Sequence, residues 1–306
     1  MTIFKRFVGF VQLPAKTAAL FPFLLALFYS LYTYRHVDVP STVLFFISML
    51  AFELSVTGLN SYVDTRHNGM ELQFSRPTAR RILTGLWVVA MAAALLLVAR
   101  TGWVVLVCGA LCFFIGIVYS FGPAPISHMP LGEAFSGVFE GFFIPFLVTF
   151  INSPPDSLVG YSFQDWVLRI DFNLAGLCRL LILVIPAMCG IADIMLANNI
   201  CDLAADAAVK RYTLPYYIGV RGGLRLFALL DYAAFASVIL TAALGILPPY
   251  VLVTLAVFPV VQAHISGFRR HQSKVETFPL SVKNFALVMV PLILSAGVAA
   301  VFRAWR

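Results

Sequence analysis

Charge is scarce in this chain. Only 11% of its 306 residues are charged, and 14 Asp and Glu stand against 21 Lys and Arg. So few polar groups cannot coat a soluble domain built around one core. Cysteine is sparse too. Cys108, Cys112, Cys178, Cys189 and Cys201 form no CxxC pair and fall within or beside apolar runs, where cysteine behaves as a small hydrophobe. Neither a disulfide framework nor a metal–thiolate centre is expected. No GxGxxG, P-loop or nucleophile elbow occurs, so nucleotide binding and serine-type hydrolysis have no footing. The histidines (His36, His67, His128, His264, His271) lack HExxH or paired spacing and are read as solvated, mostly in loops.

What the chain does have is apolar length. It is 61% hydrophobic, with a mean hydropathy of +0.92, the profile of a polytopic membrane protein. A bilayer core needs about 20 mostly apolar residues per helix. Nine segments meet that loosely: 16–34, 41–63, 82–99, 103–120, 133–151, 174–199, 224–246, 249–267 and 284–302. The first has a basic prelude (Lys5, Arg6, Lys16) like a signal peptide's. No small-residue cleavage site follows it, so it reads as a transmembrane helix. With the N-terminus inside, fifteen of the 21 Lys and Arg fall in inner segments, while the outer loop 152–173 carries Asp156, Asp165 and Asp171. The positive-inside rule therefore favours an N-in, C-out arrangement in the cytoplasmic membrane. The expected fold is all-α: one membrane-embedded domain, residues 1–306, in a bundle of about nine helices.

Two polar tracks interrupt the grease. Asn60, Asp64 and Asn68 are spaced four apart, and so are Asn198, Asp202 and Asp206, 138 residues later. That spacing puts three oxygen-bearing side chains on one stripe of a helix. Each track ends a long apolar run and is followed by cations. Helix ends are often polar for no reason beyond meeting water and headgroups. Two tracks of equal spacing, four spans apart and therefore on the same face, fit that reading less well. Hard cations want oxygen ligands, and magnesium combines one or two carboxylates with substrate phosphates. A diphosphate also takes direct cationic donors, and Arg66, Arg76, Lys210 and Arg211 are near in sequence.

These segments resemble the UbiA superfamily of intramembrane prenyltransferases. NSYVDTRHN (Asn60 to Asn68) is similar to the family's first motif, N-D-x-x-D-x-x-x-D. NNICDLAADAAVKRYTLPYYIG (Asn198 to Gly219) is similar to the second, with its K-R-x-T-L continuation. YSFGPAPISHMPLGE (Tyr119 to Glu133) looks like the loop of the 1,4-dihydroxy-2-naphthoate branch, which leads to menaquinone. The resemblance covers the chain from about Lys16 through the last apolar segment. Ser61 and Asn68 stand where the family usually has Asp, so three carboxylates remain in the tracks: Asp64, Asp202 and Asp206.

The resemblance implies a UbiA-like fold and a Mg2+ cofactor held by Asn60, Asp64, Asn68, Asn198, Asp202 and Asp206. It implies a prenyl diphosphate donor held by Asn60, Arg66, Arg76, Asn198, Asn199, Lys210 and Arg211. The expected catalytic set is Asp64, Asp202 and Asp206, with Tyr119 stabilising the allylic cation. The acceptor would be a naphthoate, with hydroxybenzoate or homogentisate as alternatives. Glu53, seven residues before Asn60, shares its helical face, and Glu140, Asp193 and Asp231 also lie in apolar runs, with structural hydrogen bonding at least as plausible as a functional role for each. Glu133 either complements a helix N-terminus or contacts the acceptor. Two other classes stay open: a secondary transporter, suggested by the intramembrane acids, and a noncatalytic prenyl-diphosphate or quinone-binding protein, suggested by the missing Asp residues.

Overall fold

The computed structural model describes residues 3–12, 17–65, 71–122 and 124–305. Arg66, His67 and Asn68, like Lys16, lie outside them. Among the described residues eight helical segments are long and apolar enough to cross a bilayer, and Ala18–Tyr34 is a shorter apolar helix. The nine apolar runs are thus all helical, the first being the short one. They gather in two compact units, Met1–Leu20 with Asp38–Pro125, and Phe21–Val37 with Ile126–Arg306.

The first unit is built from α1 (Ile3–Phe10), α3 (Val39–Asp64), α4 (Arg76–Thr101) and α5 (Trp103–Ser120). Asp38 caps α3, accepting from the Ser41 backbone N–H and hydroxyl. Arg100, at the end of α4, reaches that cap: Nη2 lies 3.6 Å from Asp38 and Nε donates to Ser41 Oγ. Buried Ala79, Ala90 and Ala93 let α4 approach α3, and the Ser48 hydroxyl donates across to the Ala90 carbonyl. At the other end of this pair Phe10 and Val11 pack on Leu54, Ala79 and Leu83.

The second unit holds most of α2 (Thr17–Tyr34), together with α6 (Gly132–Val138), α7 (Ile144–Asn152), α8 (Leu174–Ala208), α9 (Leu214–Ala243), α10 (Phe258–Arg270) and α11 (Phe278–Ala304). Its centre is α8, which touches α6, α7, α9 and α11. With 35 residues it is roughly 52 Å long at 1.5 Å per residue, beyond a hydrocarbon core of about 30 Å. The apolar run ends near residue 199, and the helix continues through the whole second track as its spacing of four implies, so Asn198, Asp202 and Asp206 occupy successive turns past the apolar stretch. Helix α9 begins ten residues before its expected start. Gly219 (φ 70°) breaks it there, leaving a short lead-in helix before the span.

Two elements depart from the expected pattern. Residues 152–173, expected as an outer loop, contain an antiparallel hairpin, β1 (Val159–Gln164) and β2 (Val167–Phe172). A five-residue π-helical stretch, Phe139–Phe143, joins α6 to α7.

Gly137 and Gly141 bring this α6–α7 segment against α8. A Cβ on Gly141 would stand 2.5 Å from the Met188 Cα, and one on Gly137 2.8 Å from the Met188 carbonyl oxygen. Small residues four apart are the usual means of bringing membrane helices into backbone contact. Because the obstructing atoms are backbone, Gly141→Ala is expected to cost about 1–3 kcal/mol. The check is a thermal melt in detergent, with Gly85→Ala as control, since nothing lies within 4 Å of a Cβ there. Equal melting temperatures for the two variants would refute close packing at Met188.

Candidate functional site

The second track forms the most developed polar site among the described residues. Asn198 and Asp202 are half-buried, and Asp206 is buried. A cation from another element meets them. The Lys274 ammonium, from the turn between α10 and α11, bonds both Asn198 Oδ1 and Asp202 Oδ2 and lies 5.0 Å from the centre of the Phe278 ring. One turn on, Arg211 Nη1 lies 3.7 Å from Asp206 Oδ1. Arg211 also donates through Nε to the Ser127 carbonyl at 2.9 Å, and the Tyr212 N–H donates to the His128 carbonyl at 3.1 Å. The chain leaving α8 is thereby stitched to the Ile126–His128 turn. Arg211, Lys274 and His128 all lie within electrostatic reach of Asp206.

A second polar pair adjoins the track. Glu133, in the first turn of α6 and 4% exposed, accepts at Oε1 from Asn199 Nδ2 at 2.9 Å. Glu133 Oε2, Asn199 Oδ1 and Asp206 Oδ2 are buried with no hydrogen-bond partner. Unmet buried acceptors are costly, so these oxygens are equipped to receive donors or a cation from a ligand. Glu133 therefore does more than complement a helix N-terminus.

Other expected site residues belong to the first unit. Asn60 is half-buried on the last turns of α3, where Asp64 is the terminal residue. Ser61, the serine that replaces an acid, donates its hydroxyl to the Phe10 carbonyl at 3.1 Å. Arg76 Nη1 donates to the Tyr62 carbonyl at 3.2 Å, and its guanidinium lies 5.2 Å from the Tyr62 ring centre. Tyr119 is half-buried on the last turn of α5. Arg66 and Asn68 are outside the described residues. Lys210, in the second unit, is exposed with φ 59°, at the bend ending α8.

The structure thus brings together Asn198, Asn199, Asp202, Asp206 and Arg211, and adds Lys274 and Glu133. Sequence reading counted Lys274 only as inner-loop charge. It follows an apolar helix as topology-setting lysines do, and lies 72 residues from its partner, so no local pattern marks it.

A different polar cluster is buried within α8, α9, α10 and α11. Asn284 Nδ2 donates to Asp231 Oδ2 at 3.0 Å, which leaves its Oδ1 to accept from His264 Nδ1 at 2.7 Å. Asp193, 2% exposed, is in electrostatic contact with Asp231. His264 is therefore a half-buried helix residue bonded to Asn284, contrary to its reading as solvated.

The second track suits magnesium by its donors. It offers carboxylate and amide oxygens, has an orphaned oxygen on Asp206, and already accommodates a positive charge between Asn198 and Asp202. Among the described residues no three His, Cys, Asp or Glu side chains converge on one point. A metal here would share its shell with amide oxygens and with oxygens of the ligand.

The chain is similar to known proteins in the same terms. It is 25% identical to the 1,4-dihydroxy-2-naphthoate octaprenyltransferase of Bacillus subtilis (strain 168) over 174 residues, 57% of this chain and 50% of that relative. The match thus spans about half the relative's length. Its fold is similar to the apo structure of a UbiA homologue from Aeropyrum pernix K1, with TM-score 0.62, 16% identity, and coverage of 92% of this chain and 96% of the other. It is also similar to a UbiA homologue from Archaeoglobus fulgidus bound to DMAPP and Mg2+, with TM-score 0.59, 11% identity, and coverage of 97% and 99%. The UbiA prenyltransferase family matches residues 19–302, nearly the whole chain, and the protein belongs to that family.

Proposed function

We propose that the protein transfers a prenyl group from a prenyl diphosphate to an aromatic acceptor, 1,4-dihydroxy-2-naphthoate, as a step in menaquinone formation. The observation that carries this reading is the oxygen stripe Asn198–Asp202–Asp206 with Lys274 and Arg211 set against it. Asp202, Asp206 and Asn198 would hold magnesium, which when bound draws negative charge from the diphosphate oxygens. Lys274 and Arg211 offset the charge that grows on the diphosphate as the allylic C–O bond breaks. Asn60, Asp64, Asn68, Arg66 and Arg76 enter this reading through the sequence motif, and Tyr119 as an aromatic face for the allylic cation. Lys210 adds charge beside the site.

The naphthoate is favoured by the named relative and by the loop from Tyr119 to Glu133. Glu133 Oε2 and Asn199 Oδ1 are spare buried acceptors suited to a ring with two hydroxyl donors. The allylic C–O bond breaks and diphosphate leaves with its electrons, and the carboxylate-bearing ring carbon then bonds the prenyl cation. The carboxylate then leaves as carbon dioxide, and the C–C bond electrons restore the ring's aromaticity. No general base is required. The positive-inside rule, applied to the basic residues of the inner segments, supports a cytoplasmic orientation for this chemistry.

Prenyl diphosphate labelled in its prenyl chain, incubated with dihydroxynaphthoate and magnesium, is expected to give a prenylated, decarboxylated product, lost with EDTA and restored by Mg2+. Product from hydroxybenzoate or homogentisate alone would replace the acceptor. Diphosphate binding without product from any of them would identify a binding protein. Asp202→Asn and Asp206→Asn are each expected to lower kcat by more than about 100-fold, beyond the 10–100-fold typical of outer-shell groups, with unaltered detergent melts. Unchanged turnover in both would remove the track from catalysis.

Lys274→Met is expected to raise KM for the prenyl diphosphate by about 10-fold or more, the loss of one charge-assisted contact of 1.5–3 kcal/mol, with a smaller change in KM for the acceptor. If only the melting temperature moved, Lys274 would be a strut for α8 and would have no part in substrate binding.

A further inference from the structure

The β1–β2 hairpin is sharply two-faced. Its register pairs Val159 with Phe172, Tyr161 with Ile170 and Phe163 with Leu168. Side chains alternate across a strand, so these six share one face, and every one is apolar or aromatic. The other face carries Gly160 opposite Asp171, Ser162 opposite Arg169 and Gln164 opposite Val167. Asp165 (φ 48°) and Trp166 (φ 62°) form the tight turn, both left-handed as a two-residue hairpin turn of the type I′ kind requires. Trp166 sets its ring edge-to-face on Phe163 at 6.1 Å.

The apolar face is uncovered. Tyr161, Phe163, Leu168, Ile170 and Phe172 are 41–62% exposed and Trp166 is 92% exposed, while Leu158 and Val159 at the base are buried. A lone two-stranded hairpin is marginal in water, and soluble surfaces rarely present so continuous an apolar patch. The hairpin is also tied at both ends to membrane helices, since α7 stops at Asn152 and α8 starts at Leu174. The Asn173 N–H closes the base onto the Leu158 carbonyl at 2.9 Å. Its apolar face therefore begins where the lipid-facing surface of the spans ends. Its only charges are Asp165, Arg169 and Asp171, too few to match a charged protein partner. Trp and Tyr are the residues that settle at the membrane–water boundary.

We infer that the hairpin is an interfacial lipid-binding element, its apolar face and the Trp166 tip lying in the zone between phospholipid headgroups and acyl chains. It stands at the start of α8, at the opposite end of that helix from Asp202 and Asp206. It pins the α7–α8 corner to the leaflet away from the candidate site. This assignment is independent of the proposed chemistry.

The test uses the full-length protein in phosphatidylcholine nanodiscs, with plain lipid or lipid brominated on the acyl chains. Subtracting the emission of Trp166→Phe from that of the parent isolates Trp166 from the three other tryptophans. The expected difference spectrum is blue-shifted, strongly quenched by bromine near the top of the chains, weakly by bromine deeper, and insensitive to aqueous iodide. Phe172→Trp in the Trp166→Phe background reports the same face independently and should behave alike. Quenching by iodide without quenching by brominated lipid would put the hairpin in water and overturn the inference. Protection from both quenchers, with cysteine crosslinking between hairpins of two protomers, would make it a contact between copies and overturn it as well.

Discussion

A carboxylate near hydrocarbon is costly unless a cation or a hydrogen-bond donor meets it, and this constraint organises the polar end of α8. Asp193 and Asp202 lie nine residues apart, which at about 100° per residue sets them on opposite faces. Asp193, whose carboxylate oxygens are buried with no hydrogen-bond partner, lies in electrostatic contact with Asp231, which forms a hydrogen-bonded chain with Asn284 and His264 among α9, α10 and α11. Asp202 turns toward Lys274. One helix thus borders two polar systems, and the second gives the acids of α8 cationic partners. These are Lys274 and Arg211, whose donors the oxygens of a ligand can also accept from.

Close packing carries the constraint to Glu133. Gly137 and Gly141 let the α6–α7 segment approach α8 at Met188. Glu133 opens α6 one turn before Gly137, so the same approach delivers its carboxylate to Asn199. Asn199 lies about three turns beyond Met188 on α8. A bulkier residue at either glycine would push the segment away from α8, and Glu133 with it. Stability and the placement of Glu133 share a cause here.

The spans were legible because lipid demands long apolar runs, and the second track because spacing of four on a helix is a direct geometric statement. What escaped had nonlocal causes. Lys274 reaches Asn198 and Asp202 from 76 and 72 residues away. His264 looked solvated because its partner Asn284 sits on another helix. The hairpin hid in a segment judged by its three acids. Its strand signal, alternation from Val159 to Phe172 around a two-residue turn, was present but short. In the first track, Ser61 looked like a lost ligand. Its hydroxyl is committed to the Phe10 carbonyl, so it has a structural task at the α1–α3 contact.

The charges at the end of α8 state what the site can accept. Asp202 and Asp206 face Lys274 and Arg211, and with the carboxylate of Glu133, which adjoins them through Asn199, the sum is roughly one negative charge in a half-buried setting. A diphosphate, at about −3, would raise that to about −4 if it arrived alone, and Coulomb repulsion at close range would expel it. Arriving with divalent cations it brings the sum close to neutrality, and the two side-chain cations are then free to bond its oxygens. A neutral solute would gain nothing from such an arrangement, and a lone monovalent cation would meet the lysine already seated between Asn198 and Asp202. This balance supports the proposed donor, a polyanion that enters together with its metal. That is the charge state of an allylic diphosphate, with the hydrocarbon tail left to the apolar surfaces around it.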